Sequence, residues 1–203
     1  MDQNTLSRRV WPQAADANLV RNITLAVVGS LLVALAAQIS VPMWPVPMTL
    51  QTLAVLGIGA AYGSRLGAAT LALYAVECAA GLPFRAGGQA GIFMPDGALI
   101  STGGFLIGFI IAAGVTGWLV EKGWNTSPLK TALAALIGAA VLYVPSIIWL
   151  AFWATMVKGI PSADALATAI GWGLTPFIPG DILKAVIAGL GVGSLYTTFG
   201  RRV

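Results

Sequence analysis

Long apolar runs separated by short polar joints leave this chain almost no choice of fold. From residue 19 onward, stretches rich in Ala, Leu and Gly recur with very few charges inside them. In a bilayer every backbone N–H and C=O must be satisfied within the protein, so only helices and closed barrels span it. The alternating apolar and polar residues of a barrel strand are absent, which leaves helices. The expectation is an all-α integral membrane protein. With 58% hydrophobic and 9% charged residues in a chain of 203, the composition is one that soluble domains of this size do not normally show. At about 20 residues per crossing, the length suits six transmembrane helices, predicted at 19–39, 48–62, 66–80, 103–120, 129–156 and 181–199, within a single membrane domain over 19–203.

Residues 1–18 are polar, carry Arg8, Arg9 and Pro12, and read as a mobile cytoplasmic tail. Ser7-Arg8-Arg9 faintly resembles a twin-arginine export signal, but the apolar stretch that follows is too long for a signal core. Basic residues divide unevenly between the two predicted sides, with Arg8, Arg9, Arg21, Arg65, Lys122, Lys130, Arg201 and Arg202 on one and Arg85 and Lys158 on the other. The positive-inside rule assigns the first set, and both termini, to the cytoplasm. The location expected is a multi-pass place in the inner or plasma membrane.

Two absences narrow the chemistry. There is no histidine, and the single cysteine, Cys78, lies in an apolar run, so disulfides, His-rich metal sites and Ser-His or Cys-His dyads are excluded. No G-x-x-x-x-G-K-[ST] segment is present, so ATP hydrolysis through a P-loop would have to come from another subunit. No cofactor is expected and nothing points to nucleic acid; the partner that composition demands is the lipid bilayer.

Against that background the stretch Pro176-Phe177-Ile178-Pro179-Gly180-Asp181-Ile182-Leu183-Lys184 stands out. Ionisable residues in a membrane segment are expensive and functional by default. Asp181 and Lys184, three apart, share one helix face, and each lowers the cost of the other. The predicted topology brings Trp44, Gln51, Glu77 and Arg85 to the same outer end, roofed by the proline-rich loop 40–47, the Gly-rich loop 81–101 and a short amphipathic interfacial helix over 162–174. With Tyr74, Phe84, Phe93 and Trp172 nearby, this describes a mostly apolar pocket with a few convergent polar groups. The bland readings are that Asp181 is the N-cap of the last helix, that Lys184 snorkels to water, and that Glu77 and Arg85 are rim charges. Ala26, Ser30 and Ala34 form a small-residue stripe, and Gly104-x-x-x-Gly108 a second one; the first is either an internal packing seam or a docking face for a separate subunit.

Several of these pieces together resemble the BioY-type substrate-binding subunits of energy-coupling-factor transporters for biotin. They are Pro45-Val46-Pro47-Met48-Thr49-Leu50-Gln51-Thr52, the segment from Tyr74 through Gly81-Leu82-Pro83, Gly103-Gly104-x-x-x-Gly108, and Pro176-Phe177-Ile178-Pro179-Gly180-Asp181-x-x-Lys184. The resemblance covers nearly all of the chain after residue 20. It implies a six-helix fold that captures one biotin tightly, with Asp181 and Lys184 in the pocket. It also makes Ala26, Ser30 and Ala34 the docking face for a transmembrane coupling subunit that associates with a pair of cytoplasmic ATPases. A solitary biotin transporter and a subunit for another small vitamin are the neighbouring alternatives. Arg85 stands where the family more often has an apolar aromatic.

The residue inventory suits biotin independently of that resemblance. Lys184 or Arg85 can meet its carboxylate, Asp181, Glu77 or Gln51 can engage its ureido ring, and Trp44, Tyr74 and Phe93 offer apolar walls. Two other classes compete. An intramembrane aspartyl protease needs two carboxylates sharing a proton, whereas Lys184 holds Asp181 ionised. An assembly subunit without a ligand would not need its charges.

Overall fold

A computed structural model describes residues 5–7, 18–93 and 97–200. Seven helices account for most of it: α1 (Asn18–Gln38), α2 (Gln51–Tyr62), α3 (Ser64–Ala79), α4 (Gly103–Leu119), α5 (Pro128–Lys158), α6 (Ser162–Gly173) and α7 (Ile178–Gly200). A two-residue antiparallel ladder, β1 (Ser40–Val41) with β2 (Met48–Thr49), closes the loop after α1 in the register Ser40 to Thr49.

The fold is all-α apart from this ladder, but the expectation of six spans is corrected. Four helical segments are long and apolar enough to cross a membrane: Leu19–Gln38, Gly103–Trp124, Pro128–Lys158 and Ile178–Thr198. Helix α2 has 12 residues and α3 has 16. At 1.5 Å per residue they reach about 18 and 24 Å, short of a hydrocarbon core of about 30 Å. The predicted segments 48–62 and 66–80 are themselves only 15 residues each, and the chain gives them no room to lengthen. Met48 and Thr49 pair with β1 as strand, which shortens the first further, and Gly63 with φ +85° ends α2 and begins α3. The predicted cytoplasmic termini, most of the tail at 1–18, and Arg8, Arg9, Arg201 and Arg202 lie outside the described residues, so the side of the membrane the termini occupy is not assigned.

Local signals place the other boundaries. Ser127 accepts a hydrogen bond from Lys130 N at 3.3 Å and Pro128 opens α5, the arrangement a helix N-terminus favours. Helix α5 continues through Pro145 and ends at Gly159, which takes the left-handed conformation at φ +68°. The predicted interfacial helix is α6, whose Ala165, Ala169 and Gly173 are buried while Leu166 is exposed.

Burial runs opposite to a soluble bundle. Ala, Gly and Thr fill much of the helix seams, while Leu31, Leu35, Leu129, Val144, Ile148, Ile182 and Leu183 point outward. A helix set apolar on every side belongs in lipid. The seam between α4 and α5 is a close example, since a Cβ on Gly104 would lie 2.3 Å from Trp149 Cβ and one on Gly108 would lie 2.6 Å from Leu142 O. At one end of the bundle Glu121, in a single π-helical turn after α4, accepts from Ser64 N (2.8 Å) and Ser64 Oγ (2.7 Å) and so caps α3. At the other end the starts of α2 and α7 and the loops after α1 and α3 converge on a cavity.

Candidate functional site

The cavity measures about 350 Å³, within the size range of small-molecule pockets. Its floor is built by the start of α7. Asp181 is not the helix cap, because its own N–H already donates to Phe177 O at 2.8 Å inside the first turn. Its side chain is therefore released from capping and turns into the bundle. Lys184 Nζ donates to Asp181 Oδ1 at 2.8 Å, and the Tyr143 hydroxyl donates to Oδ2. Both charged residues are buried, at 5% and 9% exposure, so Lys184 does not snorkel to water. Asp181 accepts one Lys184 N–H; the ammonium carries three donors, and the residue borders the cavity.

A second polar corner lies on α2 and α3. Gln51 Oε1 accepts from Thr49 Oγ1 at 3.1 Å, Gln51 Nε2 donates to Tyr74 Oη at 2.6 Å, and the Tyr74 hydroxyl donates to Phe84 O at 2.9 Å. This chain ties β2, α2, α3 and the loop after α3 together. Phe105, Phe109, Leu142 and Phe177 supply apolar wall between the two corners.

The loop 40–47 forms a further wall, and Ala86, Gly87, Gln89, Ser101 and Thr102 border the cavity as well. Ser101 Oγ donates to Pro45 O at 2.8 Å, while Trp44 packs edge-on to Trp172 at 5.0 Å and to Trp153 at 6.4 Å. Arg85 also borders the cavity, but its guanidinium is spent on its own loop: Nη1 donates to Gly91 O at 2.9 Å and Nη2 to Gln89 Oε1 at 3.0 Å. Partial burial moves its pKa down from the ordinary value, and an arginine remains a cation throughout the physiological range.

Of the residues singled out in the sequence, Trp44, Gln51, Tyr74, Arg85, Asp181 and Lys184 border one cavity. Glu77 and Phe93 are not among its lining. Glu77 is on α3 but faces α1, where its Oε1 accepts from Ser30 Oγ at 3.2 Å and its Oε2 is buried without a partner among the described residues. Three residues along a helix from Tyr74 is about 60° around its axis, enough to move a side chain from one seam to the next. Phe93 is 57% exposed and bridges Leu99. Ser30 and Ala34 are buried and Ala26 half-buried, so the stripe lies in the seam between α1 and α3. Asp181 and Glu77 thus take different partners, and the paired carboxylates an aspartyl protease requires are not formed. Tyr143 was missed by sequence reasoning. The available signal was a phenol midway along an apolar helix, where a buried hydroxyl needs a partner.

The chain matches the BioY family over residues 4–201. It belongs to the BioY family. This BioY-family chain is 41% identical over 182 residues to a protein of Rhodobacter capsulatus named "Biotin transporter BioY", an alignment covering 84% of this chain and 90% of that one. It is 36% identical over 177 residues to a protein of the same name from Rhizobium etli, covering 83% and 88%. Among solved structures its fold is similar to that of the S-component for biotin from an ECF-type ABC transporter, with TM-score 0.70 and 22% identity over 90% of this chain and 94% of the other. Membership of this family, with four helices able to span a bilayer, makes it a multi-pass plasma-membrane protein.

Proposed function

We propose that this BioY-family protein captures biotin in the cavity floored by Asp181 and Lys184, as the substrate-binding subunit of an energy-coupling-factor transporter. The observation that carries this reading is the buried Asp181–Lys184 pair at the base of a mostly apolar cavity. Relatives covering more than four fifths of the chain carry the name biotin transporter, which supports the choice of ligand.

The pair presents a hydrogen-bond donor and a carboxylate acceptor side by side with no net charge. That suits a neutral group needing both, such as the ureido ring with its N–H donors and carbonyl. The valerate carboxylate is cheaper to leave near the mouth, where desolvation is less complete. Biotin methyl ester is then expected to bind nearly as well as biotin, whereas with the carboxylate on Lys184 the ester would lose most of its affinity.

A transmembrane coupling subunit and a pair of cytoplasmic ATPases complete the proposal, since the chain has no P-loop of its own. The test is equilibrium binding of biotin to the purified, detergent-solubilised protein. Saturable binding that unrelated vitamins do not displace supports the reading; a well-folded protein that does not bind biotin overturns it. Glu77, placed in the seam between α1 and α3 and outside the cavity, makes a control. Glu77→Gln should leave biotin affinity unchanged in the same titration, and a large loss would mean that the carboxylate reaches the ligand.

A further inference from the structure

Lys158 is the last residue of α5, and its ammonium lies 5.4 Å from the Trp44 ring and 5.5 Å from the Trp153 ring. The two indoles differ in how they are held. Trp153 is buried, on a long helix, with its Nε1 donating to Leu99 O at 2.8 Å. Trp44 is on the loop 40–47 and is 63% exposed, with ring contacts to Trp153 and Trp172. Trp153 is thus a fixed platform, and the cation bridges it to a ring otherwise held by edge contacts to Trp153 and Trp172. No carboxylate lies within ion-pair distance of Lys158 among the described residues. A cation over an indole face is attracted by the ring quadrupole, and here one cation serves two faces.

We propose that Lys158 is a positioning residue for the ligand cavity, clamping Trp44 against Trp153 so that the 40–47 wall stays closed on the ligand. Met43, Trp44, Pro45 and Val46 all border the cavity, so a displacement of Trp44 moves the wall on both sides of it. Lys158 acts through Trp44 and does not itself line the cavity. A lysine at a helix C-terminus is also favoured by the dipole, and that simpler role would stabilise α5 without involving Trp44.

The proposal rests on the biotin reading for one of its two readouts only. In ligand-free protein, Lys158→Gln should raise amide hydrogen exchange across 40–49 with exchange in α4 and α7 unchanged. In biotin-bound protein the same variant should release ligand about fivefold faster, as loss of roughly 1 kcal/mol of cation–π attraction predicts, with the association rate little altered. Lys158→Arg should keep both values near wild type. In a Trp44→Leu background, Lys158→Gln should add nothing further. Unchanged exchange in Lys158→Gln, or the same acceleration with and without Trp44, would overturn the proposal. If the wild type does not bind biotin, the functional reading fails while the exchange measurement still decides the role of Lys158.

Discussion

Lys184→Met will lose biotin affinity by about 100-fold and destabilise the protein, the two effects having separate causes. The affinity loss follows from removing charge-assisted donors at the cavity floor, each worth about 1.5–3 kcal/mol. Destabilisation follows because Asp181, 5% exposed, keeps Tyr143 but loses the ammonium at 2.8 Å. Breaking a buried ion pair from one side typically costs about 3–5 kcal/mol. Asp181→Asn should weaken binding as well, since the amide replaces one acceptor oxygen by a donor. The informative variant is the double one. Asp181→Asn with Lys184→Met leaves no unpaired charge, so its thermal unfolding in detergent should recover much of the stability lost by Lys184→Met alone, without recovering affinity. Titration calorimetry beside thermal melts separates the two readouts. Wild-type affinity in a folded Lys184→Met protein would remove the ion pair from the binding site.

Gly104→Val should force open the seam between α4 and α5, and Gly104→Ala should be a milder form of it. The added Cβ would meet Trp149 Cβ at 2.3 Å, Pro145 O at 2.6 Å and Ser146 Cα at 3.0 Å. Two of those atoms are backbone and the third is fixed to it, so no rotamer change relieves the clash and α4 must move off α5. Overpacking of this kind costs about 1–3 kcal/mol and occasionally more. The damage should extend to the cavity, because Trp149 Nε1 donates to Ile100 O at 2.9 Å and the adjacent Ser101 holds Pro45. Gly57→Ala is the matched control, since a Cβ there meets nothing within 4 Å; it should melt within about 0.5 kcal/mol of wild type. A Gly104→Ala protein that melts and binds like wild type would show that the two helices are free to separate at no cost.

How legible the site was depended on how far each inference had to reach. Asp181 and Lys184 were readable because their contact is three residues long, and helical geometry alone brings them together. Gln51, Tyr74, Trp44 and Arg85 needed only the assignment of loops to one end of the bundle. Glu77 satisfies the same test of level but faces α1 and Ser30, because level in a bundle says nothing of azimuth. The Ala26, Ser30, Ala34 stripe suited either an inner seam or an outer one by spacing, and the packing of α3 against α1 covers Ser30 and Ala34. Tyr143 is 38 residues from Asp181, and no local pattern links them.

A helical, membrane-embedded chain, a helix-contact face at Gly104 and Gly108, and the pairing of Asp181 with Lys184 were all legible in the sequence alone. These depend on solvent preference, on side-chain size and on the pitch of one helix, all of which are local. Tertiary structure drew Met48 and Thr49 into a strand ladder, which shortens α2, and made α5 the partner of the Gly104–Gly108 face. It also decided which seam each polar side chain enters and that Tyr143 completes the floor of the cavity, because the rotation of one helix against another is set by the packing of all of them together.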